Sequence, residues 1–180
     1  MDPDDSSLYI ADEQHDVPID LEHFRRLAEF VLRSEGVSES VEMSVMFVDE
    51  TTIADYNQRF LDHVGPTDVL AFPIDEEARP SGRNPDNGGR GPGAPNDPED
   101  DIPQMLGDVL VCPSYAAREA AQRNIALDDE LRLLVVHGTL HLLGFDHADD
   151  TERIEMQQKE QQLLNGFALA ENAQPANGAQ

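Results

Sequence analysis

The segment from Val136 to His147 reads VHGTLHLLGFDH and contains three of the six histidines of the chain, His137, His141 and His147. The first two are four residues apart, so on a helix their imidazoles project from one face, close enough to share a metal ion. Gly144 lies just past the helical run, where a glycine readily adopts the left-handed conformation that ends a helix. A turn there would return His147 to the other two histidines, and the segment therefore predicts a metal site.

The number of ligands bears on the kind of site. Three imidazoles would leave the fourth position of a tetrahedral zinc ion open, which is typical of catalytic rather than structural zinc. A lone HxxxH pair in an apolar helix more often consists of core histidines, so it is the third histidine that favours metal. We expect one zinc ion, although three imidazoles also bind nickel or copper. Asp146 and Asp149 flank His147, where a carboxylate would orient an imidazole; helix capping is the alternative for Asp149 or Asp150.

The same spacing matches the HExxHxxGxxH motif of metzincin proteases at every position except one. Gly138 stands where those enzymes have their glutamate general base. A protease of that type would be crippled without its base. A zinc-dependent peptidase is therefore an interpretation that Gly138 disfavours.

Bulk composition favours one domain in a reducing compartment. The 180 residues are enough for a single domain with a core. No apolar run is long enough to cross a membrane, and the acidic start MDPDDSSLYI is unlike a signal peptide, so we expect a cytoplasmic protein. The single cysteine, Cys112, excludes an intrachain disulfide and is expected to pack in a buried strand.

The chain is strongly acidic, with a formal net charge of -25 and a pI near 4.2. Taken alone, this charge argues against binding nucleic acid, because phosphate contacts need Lys and Arg to displace counterions. Such an acid excess resembles the surfaces of halophile proteins, where high salt screens self-repulsion. Acidic flexible segments are an alternative source of part of the charge.

Hydrophobic periodicity predicts alternating strands and helices. Strands are predicted at residues 8–11, 41–48, 69–73 and 105–112 (the last interrupted at Gly107-Asp108), and helices at 21–35, 52–60, 114–123, 129–143 and 151–165, with Asp20, Asp49 and Asp128 as N-caps. This alternation predicts an α/β fold with a mixed, mostly parallel sheet of about four strands and about five helices. The strand that ends at Pro73 suits an edge, where it could run antiparallel. The helix with His137 and His141 is expected to be central and buried.

Two segments do not fit this pattern. Residues 75–103 are rich in Gly, Pro, Asp, Glu and Asn without apolar periodicity, which predicts a flexible acidic loop insertion; an acidic lid is the alternative. Residues 168–180 are expected to form a disordered C-terminal tail. We therefore expect a single domain at residues 1–167.

Three segments together carry a family resemblance. Arg59 lies near the end of the second predicted helix and is followed by GPTDVLAFP at residues 65–73; LGDVLVC occupies residues 106–112, and VVHGTLHLLGFDHADD residues 135–150. In these segments the chain closely resembles the YbeY family of bacterial ribosomal RNA maturation factors, which are metal-dependent, single-strand-specific endoribonucleases. The resemblance extends from about Leu8 to Phe167. Ala71 departs from the serine of many members, and the insertion at 75–103 is longer than usual.

The resemblance implies a function and its residues. It implies that His137, His141 and His147 bind one zinc ion, and that Arg59 faces the metal across a positively charged cleft and is needed for activity. An exposed helix-end arginine is the alternative for Arg59. The implied substrate is single-stranded RNA, in 3′-end maturation of small-subunit ribosomal RNA and in ribosome quality control, with the ribosome or ribosomal proteins as partners.

Two questions stay open at this point. With no glutamate at Gly138, either water or the RNA 2′-hydroxyl attacks phosphorus, with the metal as Lewis acid. A non-catalytic, zinc-containing ribosome-assembly factor is the alternative from a different class.

Overall fold

The computed structural model describes residues 8–37, 41–74, 104–145 and 149–173. The elements within them follow in the order β1 (Leu8–Asp12), α1 (Leu21–Ser34), β2 (Val41–Phe47), α2 (Glu50–Leu61), β3 (Val69–Pro73), β4 (Gln104–Val111), α3 (Pro113–Arg123), α4 (Leu127–Leu142) and α5 (Asp150–Ala173). Each agrees in type and order with the sequence prediction, and the mixed α/β fold is confirmed. The predicted loop insertion at 75–103 lies outside the described residues.

The four strands form one sheet in the order β1-β2-β4-β3. β1, β2 and β4 run parallel, whereas β3 pairs antiparallel with β4. Pro73 is the last residue of β3, at the edge of the sheet, where its missing N–H costs no ladder hydrogen bond. The prediction of an antiparallel edge strand is therefore confirmed.

The predicted interruption of β4 at Gly107-Asp108 is wrong. The strand continues through both residues, with a register shift: Glu42 of β2 pairs with Met105, and the next residue, Met43, pairs with Gly107. Gly107 has a φ of +135°, and a Cβ there would collide with the backbone carbonyl of Phe72 on β3. The glycine thus permits close approach of β3 at an irregular point of the strand, rather than ending it.

Alternate residues of the central strands face opposite sides of the sheet. Val45 and Val109 belong to the larger core cluster, which includes buried residues of α1, α4 and α5. Leu110 belongs to the smaller cluster on the other side, with Ile53 of α2 and the buried Cys112. The helix that carries His137 and His141 therefore packs on the opposite face of the sheet from α2.

The predicted N-cap of α4 and the predicted end of α5 are wrong. Asp128 does not cap α4: the helix starts at Leu127 after Ala126, and Asp128 lies in the acidic first turn, where its charge still complements the helix dipole. At the other end of the chain, α5 continues to Ala173, so residues 168–173 are helical and the tail predicted from residue 168 starts too early.

Tertiary contacts explain the extra length of α5. Phe167 is buried and packs edge-on against His23 and beside Phe30 of α1. Glu171 pairs with His23 and Arg26 of the same helix. Because these contacts lie beyond the predicted end of α5, packing against α1 stabilises turns that have little apolar pattern of their own. None of the helices described is both long and apolar enough to span a bilayer.

Candidate metal centre

α4 presents two of the three predicted ligands side by side. The Nε2 atoms of His137 and His141 are 3.1 Å apart, and the ring centroids are 4.6 Å apart in an edge-to-face arrangement. This follows from their spacing of one helical turn, which stacks the two side chains on one face. Two imidazole nitrogens that converge on one point are the donor chemistry that zinc prefers, so this pair fits a zinc ion.

The end of α4 turns the chain at the predicted glycine. Gly144 has a φ of +89°, and its N–H bonds to the carbonyl of His141, while the N–H of Phe145 bonds to the carbonyl of Leu140. This pattern of hydrogen bonds closes a helix with a left-handed residue. The predicted role of Gly144 as the end of the helix is confirmed.

The third predicted ligand, His147, lies outside the described residues, as does Asp146. Among residues 8–37, 41–74, 104–145 and 149–173, no group of three His, Cys, Asp or Glu side chains is placed to hold a metal ion. The assignment of His147 as a ligand therefore stays a prediction. Asp149 accepts hydrogen bonds from the backbone N–H of Thr151 and of Glu152, at 2.8 and 2.9 Å, so its capping role is confirmed.

Gly138 has a packing role that the sequence did not reveal. It is buried against the sheet, and a Cβ at this position would lie 2.5 Å from Cγ1 of Val109 and 3.4 Å from Cγ2 of Val69. A glutamate side chain has no room here. The position that carries the general base in metzincins is therefore taken up by helix-on-sheet packing, which further disfavours a peptidase.

Glu160 of α5 is a site residue that sequence reasoning missed. Its Oε1 lies 2.7 Å from Nδ1 of His137, and only 8% of the residue is exposed. The available signal was its position in a stripe of core residues, Met156, Leu163 and Phe167, at helical spacing. A carboxylate among such residues implies a buried partner.

Arg59 lies in the last turn of α2, and 63% of its side chain is exposed. Its Nη1 is 3.1 Å from Oδ2 of Asp55, and its guanidinium lies 5.7 Å from the ring centroid of Phe60. These contacts lie on α2 itself, and α2 packs on the opposite face of the sheet from the two histidines. That Arg59 faces the metal stays a prediction.

The start of α2 is firmly held by polar contacts. Asp49 caps the helix, and its hydrogen bond from the backbone N–H of Thr52 lowers the pKa of its carboxyl. Arg118 of α3 binds Glu50 through both carboxylate oxygens, which lowers the pKa of Glu50, and Ser114 also donates to it. Both carboxyls remain ionised and anchor the helix that carries Arg59.

The family profile described as Endoribonuclease YbeY matches residues 9–168. The chain belongs to the YbeY family. Endoribonuclease YbeY of Thermobifida fusca is 41% identical over 161 residues, which cover 89% of this chain and 94% of the relative. The protein of the same name from Saccharopolyspora erythraea is 40% identical over 154 residues, 86% of this chain and 77% of the relative.

A solved structure agrees with the fold of this YbeY-family chain. The solution structure of TM1509 from Thermotoga maritima is similar with a TM-score of 0.57 and 26% sequence identity, covering 96% of this chain and 99% of that chain. This protein from Thermotoga maritima and the chain therefore share their overall fold.

Proposed function

We propose that this YbeY-family chain is a metal-dependent endoribonuclease for single-stranded RNA, with one zinc ion held by His137, His141 and His147. Membership of the family makes it an endoribonuclease, a hydrolase that acts on RNA. The identity of the metal, the third ligand and the role of Arg59 are the finer parts of the proposal.

The observation that carries the proposal is the pair of imidazoles on α4. Their Nε2 atoms lie 3.1 Å apart, and Nδ1 of His137 is engaged by Glu160, so the other nitrogen is directed at the shared point. A metal-binding histidine typically donates its second ring N–H to a carboxylate in this way. The pair therefore has both features of a metal-binding half-site.

The zinc ion and Arg59 have different roles in the proposed reaction. Zinc in such a site supplies Lewis-acid polarisation of a phosphoryl oxygen and lowers the pKa of water. Arg59 offers planar paired N–H donors to the scissile phosphate, so it offsets the charge that develops in the transition state. Water or the RNA 2′-hydroxyl attacks phosphorus; a product with a 2′,3′-cyclic phosphate would identify the hydroxyl.

The biological setting is the finer part of the same proposal. We infer action in 3′-end maturation of small-subunit ribosomal RNA and in ribosome quality control, in the cytoplasm, with the ribosome or ribosomal proteins as partners. What supports it is the family resemblance of the histidine segment. The net charge of -25 makes RNA affinity strongly dependent on local arginines and on salt.

His141→Ala tests the metal centre. We expect the wild type to bind zinc and to cleave single-stranded RNA, and the variant to lose both, because one of two converging nitrogens is gone. His15→Ala is the matched control, since His15 is exposed in the loop after β1. Metal content is measured by elemental analysis, and cleavage on a labelled oligonucleotide.

Two results would overturn parts of this proposal. Full cleavage by protein that is verified metal-free would exclude metal dependence. RNA binding without any cleavage by the zinc-loaded wild type would favour the alternative of a zinc-containing ribosome-assembly factor.

A further inference from the structure

The core-facing side of α5 contains one carboxylate, Glu160, among apolar residues. The buried residues of this helix are Met156, Glu160, Leu163 and Phe167, which recur at intervals of three and four and form its core-facing stripe. Met156, Leu163 and Phe167 belong to the larger hydrophobic cluster of the protein. Burying an ionised carboxylate in such a stripe is costly unless it is paired and hydrogen-bonded.

The partner of Glu160 is a predicted metal ligand. Oε1 of Glu160 lies 2.7 Å from Nδ1 of His137, with 11% of the Glu160 side chain and 28% of the His137 side chain exposed. The distance is that of a short N–H···O hydrogen bond. A carboxylate oxygen accepts in this contact when Nδ1 of His137 carries the ring proton, so the direction of the hydrogen bond is set by the tautomer of His137.

We propose that Glu160 is a positioning residue for the metal centre. By accepting a hydrogen bond from Nδ1–H of His137, it selects the tautomer whose Nε2 carries a lone pair, and it fixes the ring so that this lone pair points at Nε2 of His141. The inference rests on the proposed function, because the metal ion of the proposed endoribonuclease is what these two nitrogens would bind. It extends that function by assigning a role to α5.

A purely structural role for Glu160, as a link between α4 and α5, predicts a change in a different quantity for one substitution. Glu160→Leu places an apolar side chain among Met156, Leu163 and Phe167. Replacing a buried polar pair member with a packed apolar residue removes the desolvation cost, but it also leaves Nδ1 of His137 without its acceptor. A structural role requires loss of stability, whereas a positioning role requires loss of zinc affinity whatever the sign of the stability change.

The experiment compares the wild type with Glu160→Leu, Glu160→Gln and a control, Glu155→Gln. Glu155 is an exposed carboxylate on the same helix, so the control removes the same charge as Glu160→Gln without touching His137. For each purified full-length chain we would measure zinc affinity by competition with a chromophoric chelator, and thermal unfolding of the metal-free protein. The tautomer of His137 would be read in the metal-free protein from its ring ¹⁵N chemical shifts.

We expect Nδ1–H of His137 in the wild type and in Glu155→Gln, with equal zinc affinity. Glu160→Leu should weaken zinc binding by about 10–100-fold and abolish the preference for that tautomer. Glu160→Gln should fall between them, because its neutral amide oxygen is a weaker acceptor.

Unchanged zinc affinity in Glu160→Leu, or an unchanged tautomer of His137, would overturn the proposal. Because the tautomer is read without metal, this arm decides on Glu160 even if the wild type binds no zinc. A wild type that binds no zinc would instead count against the proposed function.

Discussion

Arg59 and Arg33 form a natural matched pair of exposed arginines. Each is in the last turn of its helix and pairs with a carboxylate four residues earlier, Asp55 at 3.1 Å and Glu29 at 3.3 Å. Their side chains are 63% and 69% exposed. Since exposed ion pairs of this kind contribute about 0–1 kcal/mol, neither is required for the fold.

Arg59→Ala therefore separates a phosphate-binding role from a helix-end role. If Arg59 binds the scissile phosphate, its loss should lower kcat on single-stranded RNA by about 10²–10³-fold, as for other donors to developing transition-state charge. Arg33→Ala should leave cleavage unchanged, and both variants should unfold at nearly the wild-type temperature. Arg59→Lys should recover only part of the rate, because an ammonium lacks the planar pair of donors.

The alternative for Arg59 has its own signature in this comparison. If Arg59→Ala and Arg33→Ala cleave RNA equally well, Arg59 is an ordinary helix-end arginine that complements the helix dipole. Its contacts with Asp55 and Phe60 would then be its whole role.

At the residue scale, the sequence reveals what is set by local spacing. The interval of four between His137 and His141 fixes their common face, and Gly144 ends the helix, so both were predictable. For Glu160 the local pattern shows only a carboxylate within a stripe of core residues, and its partner His137 is distant in sequence. In the sequence Gly138 shows only the lack of a general base, whereas the structure gives it a packing role that depends on Val109 of another element.

At the scale of elements, the lack of a side chain at Gly138 allows α4 to pack closely against the sheet. A Cβ there would lie 2.5 Å from Cγ1 of Val109, well inside contact distance. Val109 is fully buried and β-branched, so it has few ways to move aside. Close approach of α4 to β4 and β3 is therefore a condition for placing His137 where Glu160 of α5 reaches it.

Gly138→Ala should destabilise the protein although alanine is the better helix former. Overpacking typically costs about 1–3 kcal/mol, and the gain in helix propensity returns up to about 1 kcal/mol. We expect a net loss on the order of 1 kcal/mol in chemical denaturation, together with weaker zinc binding as α4 shifts from the sheet.

Val109→Ala supplies the control for this clash. It makes a cavity alone, but in the double variant the methyl group that Gly138→Ala introduces occupies part of that space. A double-mutant cycle should therefore show the two changes to be less harmful together than the sum of their separate effects. Strict additivity would show that Gly138 does not act through Val109.

The elements themselves were largely predictable, and their misjudged ends have tertiary causes. Alternation in β2 and helical spacing in α1 gave the correct elements, because each has one face on the core. The apolar pattern of α5 does not show its true end, because contacts of Phe167 and Glu171 with α1 extend the helix. The sequence does not explain the glycine within β4, because the close approach of Phe72 from β3 is a tertiary contact.

At the scale of the whole molecule, the net charge predicts that salt stabilises the folded state, whereas salt weakens RNA binding. The chain has 37 acidic and 12 basic side chains, giving a net charge of -25. Self-repulsion of this charge destabilises the folded state, and dissolved salt screens it. Salt also weakens RNA binding, because cations compete with Arg and Lys for the phosphates.

We therefore expect thermal stability to rise with salt while RNA affinity falls. Between about 0.1 M and about 1 M NaCl the Debye length drops from about 10 Å to about 3 Å, which removes most repulsion between exposed carboxylates. Each kcal/mol of relieved repulsion should raise Tm by about 2–4 °C in a chain of this size. Sucrose is the control, because it stabilises folded proteins without screening charge. At a sucrose concentration that raises Tm by the same amount as NaCl, RNA affinity should not fall steeply. A Tm that is flat or falling over the same range of NaCl would show that the acid excess does not limit the fold, and the resemblance to halophile surfaces would then have no energetic meaning.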